Sequence, residues 1–150
     1  MDKWRPYLAG LIDGEGCIDI HLTRNKTPNH KYEYYDLRLR IAMTTEEPIK
    51  TMEALFGGCH SVTSKGGNRR AIHELCWIGD KALVLLELMQ PYLILKRKHA
   101  DLAIEYRKFC NKYRKFGSNG TPQWVMDKRR EYYRKMRCLN ERGKKALAPP

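Results

Sequence analysis

The sequence has no apolar segment of the about 20 residues that a membrane span requires. Its first residues lead into no long apolar run of the kind that marks a signal peptide. The five cysteines are odd in number and include no Cys-x-x-Cys pair, so a disulfide framework is not indicated. We therefore expect an intracellular protein with reduced thiols and no membrane partner.

The cysteines leave one metal hypothesis open. We expect Cys17 and Cys76 to lie in or near the core. Cys59, His60, His73 and Cys76 suggest a zinc cluster, but their spacing matches no common zinc finger and their segments have strand patterns. Zinc remains an alternative.

Acidic residues are scarce in the last third of the chain. Lys and Arg number 29 against 17 Asp and Glu, a formal net charge of +12. Residues 1–95 are balanced at 12 against 12, whereas residues 96–150 hold 17 basic and 5 acidic residues. This excess favours a polyanionic partner, nucleic acid first. A solvated basic face and a ribosomal or RNA-binding protein are the alternatives.

Hydrophobic periodicity and turn residues predict one α+β domain over residues 1–142, followed by a flexible tail over 143–150. The order is helix, hairpin, helix, hairpin, helix and two further helices, which predicts an antiparallel sheet with helices on one face. In the return arm of the second hairpin, residues 70–78, the pattern does not decide which side chains face the core. The last predicted helix is basic and covers about 122–140.

Residues 8–16, Leu-Ala-Gly-Leu-Ile-Asp-Gly-Glu-Gly, resemble the LAGLIDADG motif at seven of nine positions, with Gly in place of Ala and Glu in place of Asp. The element order and the approach from Pro91 to the basic cluster 96–98 extend the resemblance to single-motif LAGLIDADG homing endonucleases over nearly the whole chain. The resemblance implies the αββαββα fold with a saddle-shaped antiparallel sheet and extra C-terminal helices. It is far more specific than a lone glycine motif.

The same resemblance implies a site-specific homing endonuclease that hydrolyses double-stranded DNA at a long, partly palindromic target, with no small-molecule substrate. Such proteins act in intron homing, which places the chain in the bacterial cytoplasm, or in an organelle if an organellar intron encodes it. No second motif is present, so we expect a homodimer, although a hetero-partner stays open. An inactive RNA maturase or a DNA-binding regulator is the alternative function.

The small residues Ala9, Gly10 and Gly14 strip one face of the motif helix of side chains, which allows two such helices to approach closely. We predict Ala9, Gly10 and Asp13 at the dimer interface. The Glu15 carboxylates of two chains would then lie close together and repel unless divalent cations neutralise them, and Mg²⁺ (or Mn²⁺) is the expected ion.

The resemblance also assigns roles. Glu15 ligates the metal, the backbone carbonyl of Gly14 assists, and Asp13 caps the helix end. Lys96 polarises the attacking water or the transition state, with Lys98 as the alternative. Thr45, or Glu46 beside it, positions water, although an N-cap role for Thr45 is an equal interpretation.

Donors and acceptors on the polar side of the strands predict base contacts in the major groove. These residues are His21, Thr23, Asn25, Asp36, Arg38, Arg40, Ser61, Thr63, Lys65, Arg69 and Arg70. Solvated strand faces without a ligand are the alternative. Basic residues beyond position 96 are expected to contact flanking phosphates, namely Lys128, Arg129, Arg130, Arg134, Lys135, Arg137 and Arg142.

Overall fold

The computed structural model describes residues 3–27, 30–64, 66–114, 116 and 120–141, and for residues 25–27 and 30–32 it describes the backbone. The elements in chain order are α1 Trp4–Glu15, β1 Gly16–Thr27, β2 His30–Met43, α2 Glu46–Phe56, β3 Cys59–Thr63, β4 Ile72–Ile78, α3 Asp80–Met89, a short 3₁₀ turn Gln90–Tyr92, α4 Arg97–Lys112 and α5 Gln123–Asn140. The predicted α+β order is confirmed. No helix among the described residues is long and apolar enough to cross a membrane.

The four strands form one antiparallel sheet in the order β1-β2-β4-β3. Because neighbouring side chains along a strand point to opposite sides, register decides which residues share a face. One row across the sheet joins Ile18, Leu39 and Trp77, and the next joins Cys17, Arg40, Cys76 and Cys59. The rows alternate between apolar and polar or thiol side chains.

All five helices pack against the apolar side of the sheet, which we call the inner face. Ile18, Leu39 and Leu75 from the strands share one buried cluster with Leu8 of α1 and Met52 of α2. Burying each such side chain contributes about 1.5–3 kcal/mol. The opposite side, called the outer face, is covered by no element among the described residues.

Three side-chain hydrogen bonds to backbone carbonyl oxygens join elements of the fold, as expected for polar groups in a packed interior. The Trp77 indole donates to the carbonyl oxygen of Phe56 at 3.2 Å. The Tyr106 hydroxyl donates to the carbonyl oxygen of Tyr35 at 2.9 Å and ties α4 to β2. Asn140 at the end of α5 donates to the carbonyl oxygen of Ile18 at 3.0 Å, next to the motif helix.

The structure decides the question that the pattern of the return arm left open. In β4, Leu75 and Trp77 are buried on the inner face, so Cys76 points outward. The expectation that Cys17 and Cys76 lie near the core is wrong, because both share the outer row with Arg40 and are partly exposed.

The zinc hypothesis fails on the same alternation. Cys59 and Cys76 lie on the outer face, whereas His60 and His73 lie on the inner face, where their rings approach to 3.3 Å between Nε2 and Nδ1. Sheet pleating therefore separates the two thiols from the two imidazoles. The described residues contain no group of three or more His, Cys, Asp or Glu side chains that could hold a metal ion.

Candidate active site and nucleic-acid interface

The motif helix passes directly into the sheet. Helix α1 ends at Glu15 and β1 begins at Gly16, with no loop between them. A Cβ atom at Gly16 would lie 2.6 Å from the carbonyl oxygen of Ile12, closer than real Cβ atoms come, so this joint requires glycine. The joint holds the exposed Glu15 at the boundary between the helix and the outer face.

Asp13 holds the segment before α4 against the end of α1. Its Oδ2 accepts hydrogen bonds from the backbone amides of Ile94 at 2.8 Å and Leu95 at 3.2 Å. Its Oδ1 accepts from the amide of Lys96 at 2.9 Å. Burial works to raise the pKa of Asp13, but these three amides and the Lys96 ammonium outweigh it and hold the pKa below its usual value.

Lys96 lies beside the motif. It is the N-cap residue of α4, and its Nζ donates to the carbonyl oxygen of Asp13 at 2.6 Å, two residues before Glu15. Lys98 is exposed in the first turn of α4. Of the two lysines that the sequence left open, the structure therefore brings Lys96 to the end of the motif helix.

The end of α1 is an electrostatically negative place. A helix carries partial negative charge at its C-terminus, and the last turn of α1 holds Asp13 and Glu15 with no basic residue. A carboxylate and nearby carbonyl oxygens are the hard donors that Mg²⁺ prefers. The residues fit a divalent cation in donor type, and Glu15 is the exposed carboxylate in the last turn of α1.

Thr45 is the N-cap residue of α2, with extended backbone angles and no side-chain capping hydrogen bond. It is exposed, as expected for a residue that contacts water. Its neighbour Glu46 pairs with Lys50 at 2.9 Å. Because Gly16 pairs with Ile41 and β2 ends at Met43, Thr45 belongs to the same end of the sheet as the motif joint.

The prediction that Ala9 lies at the dimer interface is wrong. It is 0% exposed in the single chain, because it faces the core with Leu8 and Ile12. The helix instead exposes Tyr7, Gly10 and Gly14, which follow one another at spacings of three and four residues and so form one stripe.

The interface role of Asp13 stays a prediction. Both of its carboxylate oxygens accept hydrogen bonds from amides of its own chain. A Cβ atom at Gly10 or Gly14 would meet nothing within 4 Å, so the space above the exposed stripe is open. The exposed stripe of Tyr7, Gly10 and Gly14 is therefore open surface in the single chain, and Ala9 is not part of it.

On the outer face, Arg38 is held by a carboxylate that the sequence analysis did not select. Its Nε and Nη2 donate to the two oxygens of Asp19 at 3.3 and 3.1 Å, a two-point pairing across strands. Arg40 lies between Asp19 at 3.9 Å and Glu74 at 3.5 Å. Alternation already placed Asp19 on the polar side of β1, and that signal was sufficient to find it.

The prediction that Asp36 is a free acceptor on the outer face is also wrong. Its carboxylate pairs with the Arg107 guanidinium at 3.2 Å, and Arg107 also pairs with Asp80 at 3.0 Å. Burial raises the pKa of Asp36 despite Arg107. Arg107 belongs to α4, so Asp36 Oδ1 ties the sheet to the helix layer and is held within the chain rather than free on the outer face.

Some of the other residues predicted to contact DNA lie among the described residues, and some do not. His21, Thr23, Ser61 and Thr63 are exposed on the outer face, and Arg69 and Arg70 are exposed in the segment between β3 and β4. The side chains of Asn25 and Lys65, as well as Arg142 and the tail 143–150, lie outside the described residues. The basic residues of α5 lie on the helix layer and several are paired, namely Lys128 and Lys135 with Glu131, Arg130 with Glu33 and Asp127, and Arg137 with Glu141.

Comparison with known proteins gives consistent relatives. DNA endonuclease I-CvuI of Chlorella vulgaris is 29% identical over 103 residues, which cover 68% of this chain and 62% of that protein. The crystal structure of the homing endonuclease I-CvuI with a DNA target and Mg superposes with a TM-score of 0.74 at 23% identity, covering 96% of this chain and 85% of that one. The archaeal intron-encoded homing endonuclease I-Vdi141I complexed with DNA gives 0.71 at 12% identity, covering 97% and 89%.

These superpositions confirm the predicted fold. The described sheet and its helix layer have the architecture of homing endonuclease structures, and the two C-terminal helices fall within the covered part. The family model for LAGLIDADG endonucleases matches residues 8–113, which run from the motif through the end of α4. The chain therefore belongs to the LAGLIDADG endonuclease family.

Proposed function

We propose that the chain is a site-specific endonuclease that cleaves double-stranded DNA as a homodimer with Mg²⁺ (or Mn²⁺). The observation that carries the proposal is the attachment of Lys96 to the motif helix, since its Nζ lies 2.6 Å from the carbonyl oxygen of Asp13. This contact joins Lys96 to a motif residue 83 positions earlier, two residues before the exposed Glu15 carboxylate. The Glu15 carboxylate, which can bind a metal ion, and the Lys96 ammonium, which can bind a phosphate, thus both lie at the end of α1. The relative I-CvuI, of which the chain spans 62%, is named a DNA endonuclease.

Glu15 and the carbonyl oxygen of Gly14 would hold the cation. A bound divalent ion would neutralise charge at the scissile phosphate and favour ionisation of the attacking water. The Lys96 ammonium adds a second positive charge on the same side of the helix end. Thr45, which is exposed at this end of the sheet, would orient water.

A dimer is proposed because one chain supplies one LAGLIDADG motif and therefore one Glu15 carboxylate. Double-strand cleavage needs two phosphates attacked, and one chain supplies one motif. If two copies pack through the stripe of Tyr7, Gly10 and Gly14, their Glu15 carboxylates approach each other, and cations between them offset the repulsion.

Side chains of the outer face would recognise the base sequence of the DNA target. Arg38, oriented by Asp19, and Arg40, lying between Asp19 and Glu74, present guanidinium groups of the kind that recognise guanine, while the exposed His21 and Thr23 add further polar groups. The exposed Arg69 and Arg70 extend this surface, and exposed basic residues of α5 such as Arg134 add phosphate contacts. The compartment would be the one that holds the target, the bacterial cytoplasm or an organelle.

Cleavage of a randomised duplex library by the wild type and Glu15→Gln tests the proposal. The protein is incubated with Mg²⁺, Mn²⁺, Ca²⁺ or EDTA, and the cut ends are sequenced. We expect Mg²⁺-dependent cuts at one partly palindromic site, absent with EDTA and in the variant. Retained DNA binding by Glu15→Gln serves as the folding control. Sequence-specific binding without cutting in every condition would overturn the nuclease proposal in favour of a DNA-binding regulator, and binding to structured RNA alone in favour of a maturase.

A further inference from the structure

Three of the five cysteines lie in one row across the outer face. The register aligns Cys17 of β1 with Arg40 of β2, Arg40 with Cys76 of β4, and Cys76 with Cys59 of β3. Residues directly opposite each other in a sheet point to the same side. Cys59 and Cys76 are therefore adjacent thiols on one surface, with no residue between them.

The separation of this pair suits a disulfide. Opposite residues of antiparallel strands have Cα atoms about 4.5–5.5 Å apart, and disulfides span Cα separations of about 4.4–6.8 Å. Cys17 lies two strands from Cys76, about 10 Å away at the usual strand spacing, which exceeds the bridging limit. Cys110 is buried among the helices, and Cys138 belongs to α5. Geometry thus selects one pair among the five thiols.

We propose that Cys59 and Cys76 are a thiol modification site, which a small-molecule disulfide such as oxidised glutathione converts to an intramolecular disulfide. The Cys59 thiolate attacks one sulfur of glutathione disulfide, which forms a mixed disulfide and releases one glutathione thiolate. The Cys76 thiolate then attacks the Cys59 sulfur and releases the second glutathione. Two protein thiols are oxidised, one glutathione disulfide is reduced, and the two thiol protons pass to solvent or to the released thiolates.

The two thiols differ in the order in which they react. Cys59 is exposed at the first residue of β3 and is open to a reagent. Burial raises the pKa of Cys76, an effect that the nearby Arg38 and Arg40 oppose and Glu74 and Asp19 reinforce. Its thiolate is therefore scarce, and Cys76 acts second, once a mixed disulfide lies directly opposite it.

The bond would join the edge strand β3 to β4 at a position next to Arg40. This linkage requires no backbone movement beyond the register that the strands already have. It is reversible by dithiothreitol, and it does not depend on the nuclease proposal because it involves no DNA and no metal.

Thiol counting and peptide mapping test this directly on the full chain. The protein is treated with oxidised glutathione, alkylated with iodoacetamide, and measured by intact mass without reduction. We expect the alkylated thiols to fall from the five cysteines of the denatured, untreated chain to three, with no glutathione retained and a Cys59–Cys76 peptide in the map.

Two single variants sharpen the test. Cys17→Ser should form the same linked peptide, whereas Cys59→Ser should form none. A stable glutathione adduct on Cys59 with Cys76 still reduced would overturn the proposal, as would a link through Cys17 or Cys138. None of these outcomes is measured by DNA cleavage. The disulfide can therefore be tested even if the protein proves not to be a nuclease.

Discussion

Asp13 and Lys96 bind each other twice. The Asp13 carboxylate accepts the Lys96 backbone amide at 2.9 Å, and the Lys96 ammonium donates to the Asp13 carbonyl oxygen at 2.6 Å. The first contact satisfies an amide at the start of α4, and the second places positive charge at the end of α1. One residue pair thus joins the negative end of one helix to the positive end of another.

Asp13→Asn should lower stability in a pH-dependent way. The pKa of Asp13 is lowered on folding, so its contribution is fully present above the unfolded value of about 3.9 and is lost as pH falls through the folded value. We expect the variant to unfold about 1–2 kcal/mol more easily at pH 7, with the difference from wild type narrowing below about pH 4. Urea unfolding across pH measures this.

Asp101→Asn is the matched control for that experiment, because Asp101 accepts one hydrogen bond, from Gln90 at 2.6 Å, at an exposed position. Its effect should be smaller than that of Asp13→Asn. Equal losses in the two variants at pH 7 would contradict a special role for the Asp13 contacts.

Lys96→Met should reduce cleavage by about 100-fold or more while leaving DNA affinity within a few-fold of wild type, because the ammonium acts on charge that develops during reaction. Lys98→Met, exposed in the same turn, should lose less than about 10-fold. Single-turnover cleavage and gel-shift binding on one duplex separate the two effects. The assignment fails if Lys98→Met is the more damaged variant.

Asp19→Asn should relax base discrimination more than it weakens binding. The variant removes the negative charge that orients Arg38, so the arginine retains its charge but loses its fixed orientation. We expect a loss of about 1–3 kcal/mol in preference at one base pair. Arg134→Ala on α5 should instead reduce the salt slope by about 1 and leave base preference unchanged. The orientation argument is refuted if Asp19→Asn keeps the wild-type preference at every position.

Gly10→Leu should disrupt the dimer without unfolding the chain. No atom lies within 4 Å of a Cβ at Gly10, so the single chain has room for the new side chain, but a second helix packed there does not. Size-exclusion chromatography with light scattering should show a shift from dimer to monomer with an unchanged circular dichroism spectrum. Ala54→Leu, exposed on α2, is the size-matched control and should remain a dimer. A dimeric Gly10→Leu protein would place the interface elsewhere.

Most of the architecture was accessible from the sequence, because long periodic segments bounded by Gly and Pro indicate both element type and face. Ile18, Leu39 and Ile41 lie in segments where apolar residues alternate with mostly polar ones, and all three are buried on the inner face as that alternation predicts. Strand β4 was ambiguous because Ile72 and Ile78, although apolar, lie on the exposed side. There the pattern of residue types does not follow the pattern of burial.

Ala9 and Asp36 show which features of the site a local sequence pattern does not predict. Ala9 was selected for its small size, but only the packing of α1 on the sheet shows that it faces inward while Gly10 faces out. Asp36 has the alternation of an outer-face residue, and its partner Arg107 is 71 positions away. Long-range ion pairs leave no local signal in the sequence.

The loop-free joint between Glu15 and Gly16 limits which sequence changes the sheet can accept. A one-residue insertion or deletion at the joint would move every later side chain of β1 to the opposite face and bring Ile18 and Ile20 into water. The spacing between the Glu15 carboxylate and the outer-face residues is therefore fixed by covalent structure. If the outer face binds DNA as proposed, new specificities arise by exchange of side chains such as His21 and Thr23, whereas changes of length are accepted in the segment between β3 and β4.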